Sequence, residues 1–153
     1  MSKDKTPYES PVVIGCDHAA YPLKEAIKAF LQEKGVDVVD AGCHGLESVN
    51  YPDFAKEVAG KVSDGTYPRG ILLCGTGLGM SMAANRFKGI RAALVSDGFS
   101  ARMSRMHNDS NILVMGARVI GESLALDLVQ TWMETPFEGG RHLDRLQMFD
   151  SFK

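Results

Sequence analysis

The sequence has 153 residues, of which 44% are hydrophobic and 24% charged, and its formal net charge is −2. This composition is typical of one globular domain, residues 1–153, that buries roughly 70% of its unfolded surface. The small net charge gives no basis for binding nucleic acid or a membrane surface, and no apolar run approaches the ~20 residues that span a bilayer, so we expect neither partner.

In chain order, short apolar runs typical of strands alternate with amphipathic segments typical of helices. Residues 1–11 are polar, which predicts a flexible arm and not a secretory signal. The apolar run at 12–16 predicts the first strand. The apolar positions 23, 26, 27, 30 and 31 then share one helical face, with Pro22 in the first turn and Gly35 ending the helix.

Four more strand–helix units follow. They are strand 36–42 with a helix that Pro52 opens, strand 70–74 with helix 80–86, strand 90–96 with helix 98–106, and strand 112–116 with a helix through Trp132. The Val, Ile and Leu content of the strands indicates burial on both faces. We therefore predict an α/β fold, a three-layer α/β/α sandwich with a five-stranded parallel sheet of Rossmann-like type.

Residues 136–153 form a C-terminal tail with a helical pattern, in which Leu143, Leu146 and Phe149 are apolar. No strand follows this tail. It either packs on its own domain or crosses to a partner subunit, and we expect it at a dimer interface.

The cysteines and histidines bear on compartment and metal binding. The chain has three cysteines, Cys16, Cys43 and Cys74, which is an odd number. Their spacing matches neither a disulfide framework nor a zinc site, and this favours a reducing cytoplasm. The four histidines form no paired metal motif, so we expect no metal.

Candidate functional residues follow the predicted strands, because ligands in open α/β sheets bind beyond the carboxyl ends of the strands. These segments are Cys16-Asp17-His18, Cys74-Gly75-Thr76-Gly77, Ser96-Asp97 and Gly116-Ala117-Arg118. His107, Asn108 and Asp109 instead precede the last strand. They can reach this edge only from a neighbouring subunit or through a loop excursion.

The segment Cys74 to Gly79 carries three alternating glycines and does not fit a nucleotide loop. A dinucleotide fingerprint needs glycine where Met80 stands, and a P-loop needs a lysine, which residues 70–86 lack. Small residues let backbone N–H groups converge, and a following helix N-terminus adds positive potential. We therefore favour an anion site over a tight turn alone.

Several of these residues have two interpretations. A lone cysteine that ends a buried strand is usually a small hydrophobe, but beside a helix N-terminus Cys74 could act as a base or a nucleophile. Arg141 and Arg145 are four residues apart and therefore share one helical face. Together they could bind a phosphate, or they could form an ordinary solvated face with Asp144 as their partner. Arg118 is a third phosphate candidate.

Taken in order, segments from about residue 12 to residue 145 resemble one family, the type B ribose-5-phosphate isomerases, grouped with the galactose-6-phosphate isomerase subunits. The segments are Gly15-Cys16-Asp17-His18, Tyr51-Pro52-Asp53, Cys74-Gly75-Thr76-Gly77-Leu78-Gly79, Ala83-Ala84-Asn85, Gly89-Ile90-Arg91-Ala92, His107-Asn108-Asp109, and Gly139-Gly140-Arg141-His142 with Arg145.

The resemblance implies an aldose–ketose isomerase without cofactor, a homodimer or dimer of dimers whose active sites lie between subunits. Cys74 would move a proton between C2 and C1 of a phosphorylated sugar through a cis-enediolate. The resemblance also implies that the loop of Gly75, Thr76, Gly77 and Gly79, with Ser81 beside it, binds the oxyanion. His107 would open the sugar ring, with Asp17 on the opposite side of the sugar. The phosphate would bind to His18, Arg118, Arg141 and Arg145, and the sugar hydroxyls would contact Tyr51 and Asn108.

Part of the family lacks the cysteine and uses a glutamate six positions later. Here that position is Met80, and Cys74 is the only titratable side chain between residues 70 and 85, which favours Cys74 as the base. We expect ribose 5-phosphate and ribulose 5-phosphate as the substrate pair. The alternatives are a four-carbon sugar phosphate (erythrose or erythrulose 4-phosphate), a six-carbon one (allose or galactose 6-phosphate), or a non-catalytic module that binds a phosphorylated metabolite. Cys43 and His44, in the segment 41–50, match no family function.

Overall fold

The computed structural model describes residues 8–152, which form five strands and six α-helices. In chain order the elements are β1 (Val12–Cys16), a short 3-10 helix (His18–Ala20), α1 (Tyr21–Glu33), β2 (Val38–Asp40), α2 (Tyr51–Ser63), β3 (Arg69–Cys74), α3 (Leu78–Ala84), β4 (Ala92–Leu94), α4 (Gly98–Met106), β5 (Ile112–Gly116), α5 (Glu122–Glu134) and α6 (Arg141–Asp150).

All five strands are parallel and lie in the order β2-β1-β3-β5-β4, which confirms the predicted sheet. The three central strands β1, β3 and β5 are fully buried, as their apolar sequences predict, whereas the edge strands β2 and β4 are partly exposed. The register aligns the carboxyl ends of the central strands, with Cys16 opposite Leu73 and Cys74 opposite Gly116. The loops that follow these strands therefore meet at one edge of the sheet.

Alternate residues of each central strand face opposite helical layers, which confirms the three-layer sandwich. On one face, Ile71 and Leu73 pack with buried side chains of α1 and α5. On the other face, Leu72 and Cys74 pack with buried side chains of α2 and α3. Because the side chains of a strand alternate with period two, the sulfur of Cys74 faces the α2 and α3 layer.

The edge strands are shorter than predicted. The segments predicted as strands at 36–42 and 90–96 contain only three strand residues each, because each edge strand pairs with one neighbour alone. After β2 the chain turns at Gly42, whose φ is +94° and whose amide donates to the Asp40 side chain at 2.9 Å. The third helix also begins earlier than predicted, at Leu78, directly after the αL residue Gly77.

The structure describes only part of the predicted N-terminal arm, whereas it describes the predicted C-terminal tail as far as residue 152. Of the predicted flexible arm at 1–11, residues 1–7 lie outside the described residues. In the remainder, Glu9 pairs with Arg69 at 2.7 Å, and the Ser10 hydroxyl accepts from the Asp37 amide at 3.0 Å. The predicted C-terminal helix is α6, which buries Leu146 against its own domain and leaves Leu143 exposed.

A buried ion pair joins α1 to the segment that follows β2. The side chain of Lys24 is fully buried, and its Nζ donates to Asp40 Oδ1 and to the Cys43 carbonyl oxygen, both at 2.6 Å. Lys28 binds the other oxygen of Asp40 at 2.7 Å. Burial alone would raise the pKa of Asp40, but hydrogen bonds from Lys24, Lys28 and the Gly42 amide lower it from 3.8 to about 2.

We predict that Asp40→Asn lowers the free energy of unfolding by about 3 kcal/mol, because it leaves the buried Lys24 ammonium with only the longer, 3.5 Å contact to the half-exposed Glu25 carboxylate. The measurement is urea unfolding at neutral pH, with the exposed Asp37→Asn on the same segment as the control. The pKa of Asp40 is depressed in the folded chain, so the parent keeps this contribution above about pH 4 and loses it as the pH falls toward 2. Equal stabilities of the two variants would contradict the prediction.

Candidate functional site

The carboxyl edge of the sheet brings together the predicted residues that follow β1, β3 and β5. At the end of β3, Cys74 is buried, and its Sγ accepts a hydrogen bond from the Gly77 amide at 3.2 Å. An N–H group that points at sulfur stabilises negative charge on that atom. The carbonyl oxygens of Cys74 and Gly75 accept from the amides of Ala117 and Arg118, both at 2.9 Å, which fastens the loop to the end of β5.

The glycines of the loop permit close contacts that larger residues would prevent. Gly77 has φ +79°, and a Cβ on it would collide with the Leu94 side chain and lie 3.1 Å from the carbonyl carbon of Met115. A Cβ on Gly79 would lie 2.5 Å from Cζ of Tyr51. The phenol of Tyr51, from the start of α2, therefore rests directly on the backbone of Gly79.

Arg118 lies on the other side of the same loop. A Cβ on Gly75 would be 3.4 Å from its Cδ and 3.5 Å from its Nη1, and the side chain is otherwise exposed. The exposed side chains of Arg118 and Tyr51 thus flank the glycine loop. A guanidinium carries a permanent positive charge and planar donors, which suit an anion.

Asp17 and His18 complete this edge from β1. Asp17 is buried, its amide donates to the Leu73 carbonyl at 3.1 Å, and its side chain accepts from the Ala19 amide at 3.0 Å. His18 Nδ1 accepts a hydrogen bond from the Val49 amide at 3.2 Å. The segment 41–50, for which the sequence predicted no role, therefore fixes the orientation of the His18 ring.

Two hydroxyls near the loop make local hydrogen bonds. Thr76 Oγ1 accepts from the Leu78 amide at 3.2 Å, and Ser81 Oγ donates to the Leu78 carbonyl at 2.8 Å. Both hydroxyls therefore support the start of α3. Their predicted contacts with a ligand stay predictions.

The other predicted site residues lie at the opposite, amino edge of the sheet. α4 starts after β4 and runs back along the sheet, so His107 and Asn108 precede β5, where the Asn108 carbonyl accepts from Arg91 Nε at 3.1 Å. Arg141 and Arg145 are exposed on α6, whose end pairs with Arg91 through Asp150 at 3.4 Å. Five- and six-residue strands at about 3.3 Å per residue separate the two edges by about 15 Å, so these side chains do not reach Cys74 within one chain.

The amino edge also holds a cluster that sequence reasoning missed. The rings of His107 and His142 are stacked, with centroids 4.2 Å apart and planes 11° apart. Glu138 Oε2 lies 3.2 Å from His142 Nε2 and 4.0 Å from His107 Nε2. Candidate ligand atoms of these three side chains lie within 4.8 Å of one another, so the expected absence of a metal stays a prediction. The glycine pair between Glu138 and His142 is the sequence signal that indicates a turn there.

The other two cysteines, Cys16 and Cys43, lie close together beneath the carboxyl edge. The Sγ atoms of Cys16 and Cys43 are 3.9 Å apart, and both thiols are free and buried. Burial, together with the neighbouring Cys43, raises the pKa of Cys16 to about 12. Cys16 is therefore a protonated core residue at neutral pH.

Comparison with known proteins gives one consistent family. The family model described as Ribose/Galactose Isomerase matches residues 12–149. The chain is 47% identical to ribose-5-phosphate isomerase B of Escherichia coli K12, covering 89% of this chain and 91% of that protein. It is 45% identical to the D-erythrulose-4-phosphate isomerase of Pectobacterium atrosepticum, covering 84% and 86%. The crystal structure of a ribose 5-phosphate isomerase from Thermotoga maritima superposes with a TM-score of 0.90 at 50% identity, covering 92% and 97%.

We predict that Gly77→Ala lowers the free energy of unfolding by roughly 2–4 kcal/mol, because the positive φ and the contact with Leu94 are both unfavourable for a side chain. The control is Gly98→Ala at the start of α4, where no atom lies within 4 Å of an added Cβ. Urea unfolding of both variants checks the prediction. A Gly77→Ala variant as stable as Gly98→Ala would mean that the loop does not require glycine there.

Proposed function

The chain belongs to the ribose/galactose isomerase family, and on that premise we propose that it interconverts ribose 5-phosphate and ribulose 5-phosphate by proton transfer at Cys74. The observation that carries this proposal is the position of Cys74. Its sulfur accepts from a loop amide at the carboxyl edge, with Tyr51 and Arg118 on either side of that loop.

In the proposed reaction, Cys74 Sγ takes the proton from C2 of the open-chain aldose, and the electron pair of that bond forms the C1–C2 double bond of a cis-enediolate. The same proton returns to C1, while a hydroxyl proton moves from O2 to O1. In the loop from Gly75 to Gly79, the amides of Gly77 and Leu78 already donate to Cys74 Sγ and Thr76 Oγ1. The other amides of this loop stabilise the oxyanion in the proposed reaction, because donors fixed in advance lower the energy of developing charge. The atoms balance without a cofactor.

The remaining side chains bind the substrate or prepare it. His107 moves the proton that opens the furanose ring, and Asp17 acts on the opposite side of the sugar. Tyr51 and Asn108 contact sugar hydroxyls. Phosphate binding falls to His18, Arg118, Arg141 and Arg145, of which the arginines offer planar, permanently charged donors suited to phosphate.

These roles require two copies of the chain, because Cys74 and His107 lie at opposite edges of one sheet. We propose a homodimer, alone or paired further, in which the amino edge of one copy covers the carboxyl edge of the other. Exposed apolar side chains on both surfaces support this arrangement. They are Leu78, Met82 and Phe99 near the carboxyl edge and Leu143 and Phe149 on α6.

We also propose that the enzyme works in the cytoplasm. All three cysteines are free thiols, which fits a reducing compartment. Within residues 8–152, none of the helices has the length and apolar character needed to cross a membrane.

A four-carbon substrate is the second candidate, because a relative of 45% identity is a D-erythrulose-4-phosphate isomerase. We predict that ribose 5-phosphate gives the highest kcat/KM in a panel of four-, five- and six-carbon aldose phosphates. The panel is run with the parent and with Cys74→Ala, which should lose at least about a hundredfold in kcat on every substrate that is turned over. A higher kcat/KM for erythrose 4-phosphate would replace the proposed substrate, and turnover of none would favour a binding module.

We predict that two variants with low catalytic activity recover activity when one subunit of each forms a mixed dimer. Subunits of Cys74→Ala mixed with subunits of Arg141→Ala/Arg145→Ala should recover about a quarter of the parent activity, because half of the random dimers are mixed and each mixed dimer has one intact site. The measurement is turnover of ribose 5-phosphate before and after subunit exchange.

The matched control pairs Cys74→Ala with Arg118→Ala. These two residues lie at the same edge, so each site of the mixed dimer keeps one defect and activity should not rise above the average of the two variants. Recovery in this control, or none in the first pair, would overturn the placement of the site between subunits.

A further inference from the structure

We propose that Glu138 and His142 are positioning residues that hold the His107 imidazole in the orientation needed for ring opening. This inference rests on the proposed function, in which His107 moves the proton that opens the furanose. Neither Glu138 nor His142 has a role of its own in that reaction.

The three side chains converge on one oxygen. The Nε2 atoms of His142 and His107 lie 3.2 Å and 4.0 Å from the same Oε2 of Glu138, and the two rings are nearly parallel. His142 is 8% exposed, whereas His107 is 39% exposed. The buried ring therefore has no access to a sugar, while the exposed ring is free to meet one.

The backbone fixes this arrangement from both sides. The Glu138 amide donates to the Met106 carbonyl at 3.1 Å, which attaches the turn to the end of α4, one residue before His107. Gly139 and Gly140 have φ of +70° and +56°, values that other residues rarely adopt. This turn brings Glu138 and His142 together, and the first residue of the helix that follows is Arg141.

An exposed histidine ring rotates easily about its outer torsion, which is broad and roughly two-fold in energy. Stacking on His142 restricts the plane of the His107 ring, and the Glu138 carboxylate favours the orientation that points Nε2 toward it. Since both Glu138 and His142 act on the ring and not on the sugar, their loss should affect only the step that His107 performs.

The chemistry of the two substrates separates that step from the rest. Ribose 5-phosphate is mostly a furanose and must be opened before isomerisation. Ribulose 5-phosphate cannot form a furanose, because its O5 carries the phosphate, so the ketose-to-aldose direction starts from an open chain. A defect in ring opening therefore slows the aldose-to-ketose direction selectively.

The experiment measures kcat and KM of Glu138→Gln in both directions, in buffer with EDTA. We expect kcat to fall about tenfold from ribose 5-phosphate and to stay within about twofold from ribulose 5-phosphate. Asp144→Asn, an exposed acidic residue on the same helix as His142, is the control and should change neither direction. Equal losses in both directions, or no loss in either, would overturn the proposal.

Two further measurements separate this proposal from the proposed function. In the His107→Asn background, Glu138→Gln should cause no additional loss, because its effect passes through His107. As a single substitution with His107 intact, Glu138→Gln should shift the ring ¹⁵N and ¹H resonances of His107. Unchanged resonances would overturn the positioning role whatever the kinetics show. Shifted resonances with no directional effect of His107→Asn would instead refute ring opening by His107 and leave the contact established.

Discussion

The parallel direction of the five strands determines where the chemistry of this chain can take place. Parallel strands send all their carboxyl ends to one edge, so Asp17, Cys74 and Arg118 meet there after three different strands. The same rule sends residues that precede a strand to the other edge, where His107 lies. One chain therefore carries two separate sets of predicted site residues about 15 Å apart, and the proposed reaction would bring them together only between two chains.

The glycine loop depends on contacts that only a backbone without side chains allows. Gly116 at the end of β5 has no room for a Cβ, which would lie 2.5 Å from the Thr76 carbonyl carbon, so β5 and the loop touch backbone to backbone. Gly79 makes the same kind of allowance for Tyr51. The alternating glycines thus serve the packing of the loop against β5 and Tyr51, while anion binding by the loop stays a prediction.

The sequence predicted most of the fold because the apolar residues of its central strands and helices follow clear strand and helix patterns. β1, α4 and β5 have the predicted bounds, whereas β2 and β4 are shorter, since pairing at a sheet edge is a tertiary property that a run of valines does not reveal. The candidate site followed from the rule on strand ends. Glu138 and Val49 could not be found in the same way. Glu138 reaches the two histidines through the turn that Gly139 and Gly140 form, and Val49 contacts His18 only through its backbone amide.

The contact between Val49 and His18 determines which hydrogen-bonding partner His18 can serve. A backbone amide can only donate, so Nδ1 of His18 must accept, and a neutral ring then carries its proton on Nε2. The free nitrogen of His18 is therefore a donor, which suits the oxygen atoms of an anion. A loop with no recognisable motif of its own, itself held to α1 by Lys24, thus sets the tautomer of a residue that is predicted to bind phosphate.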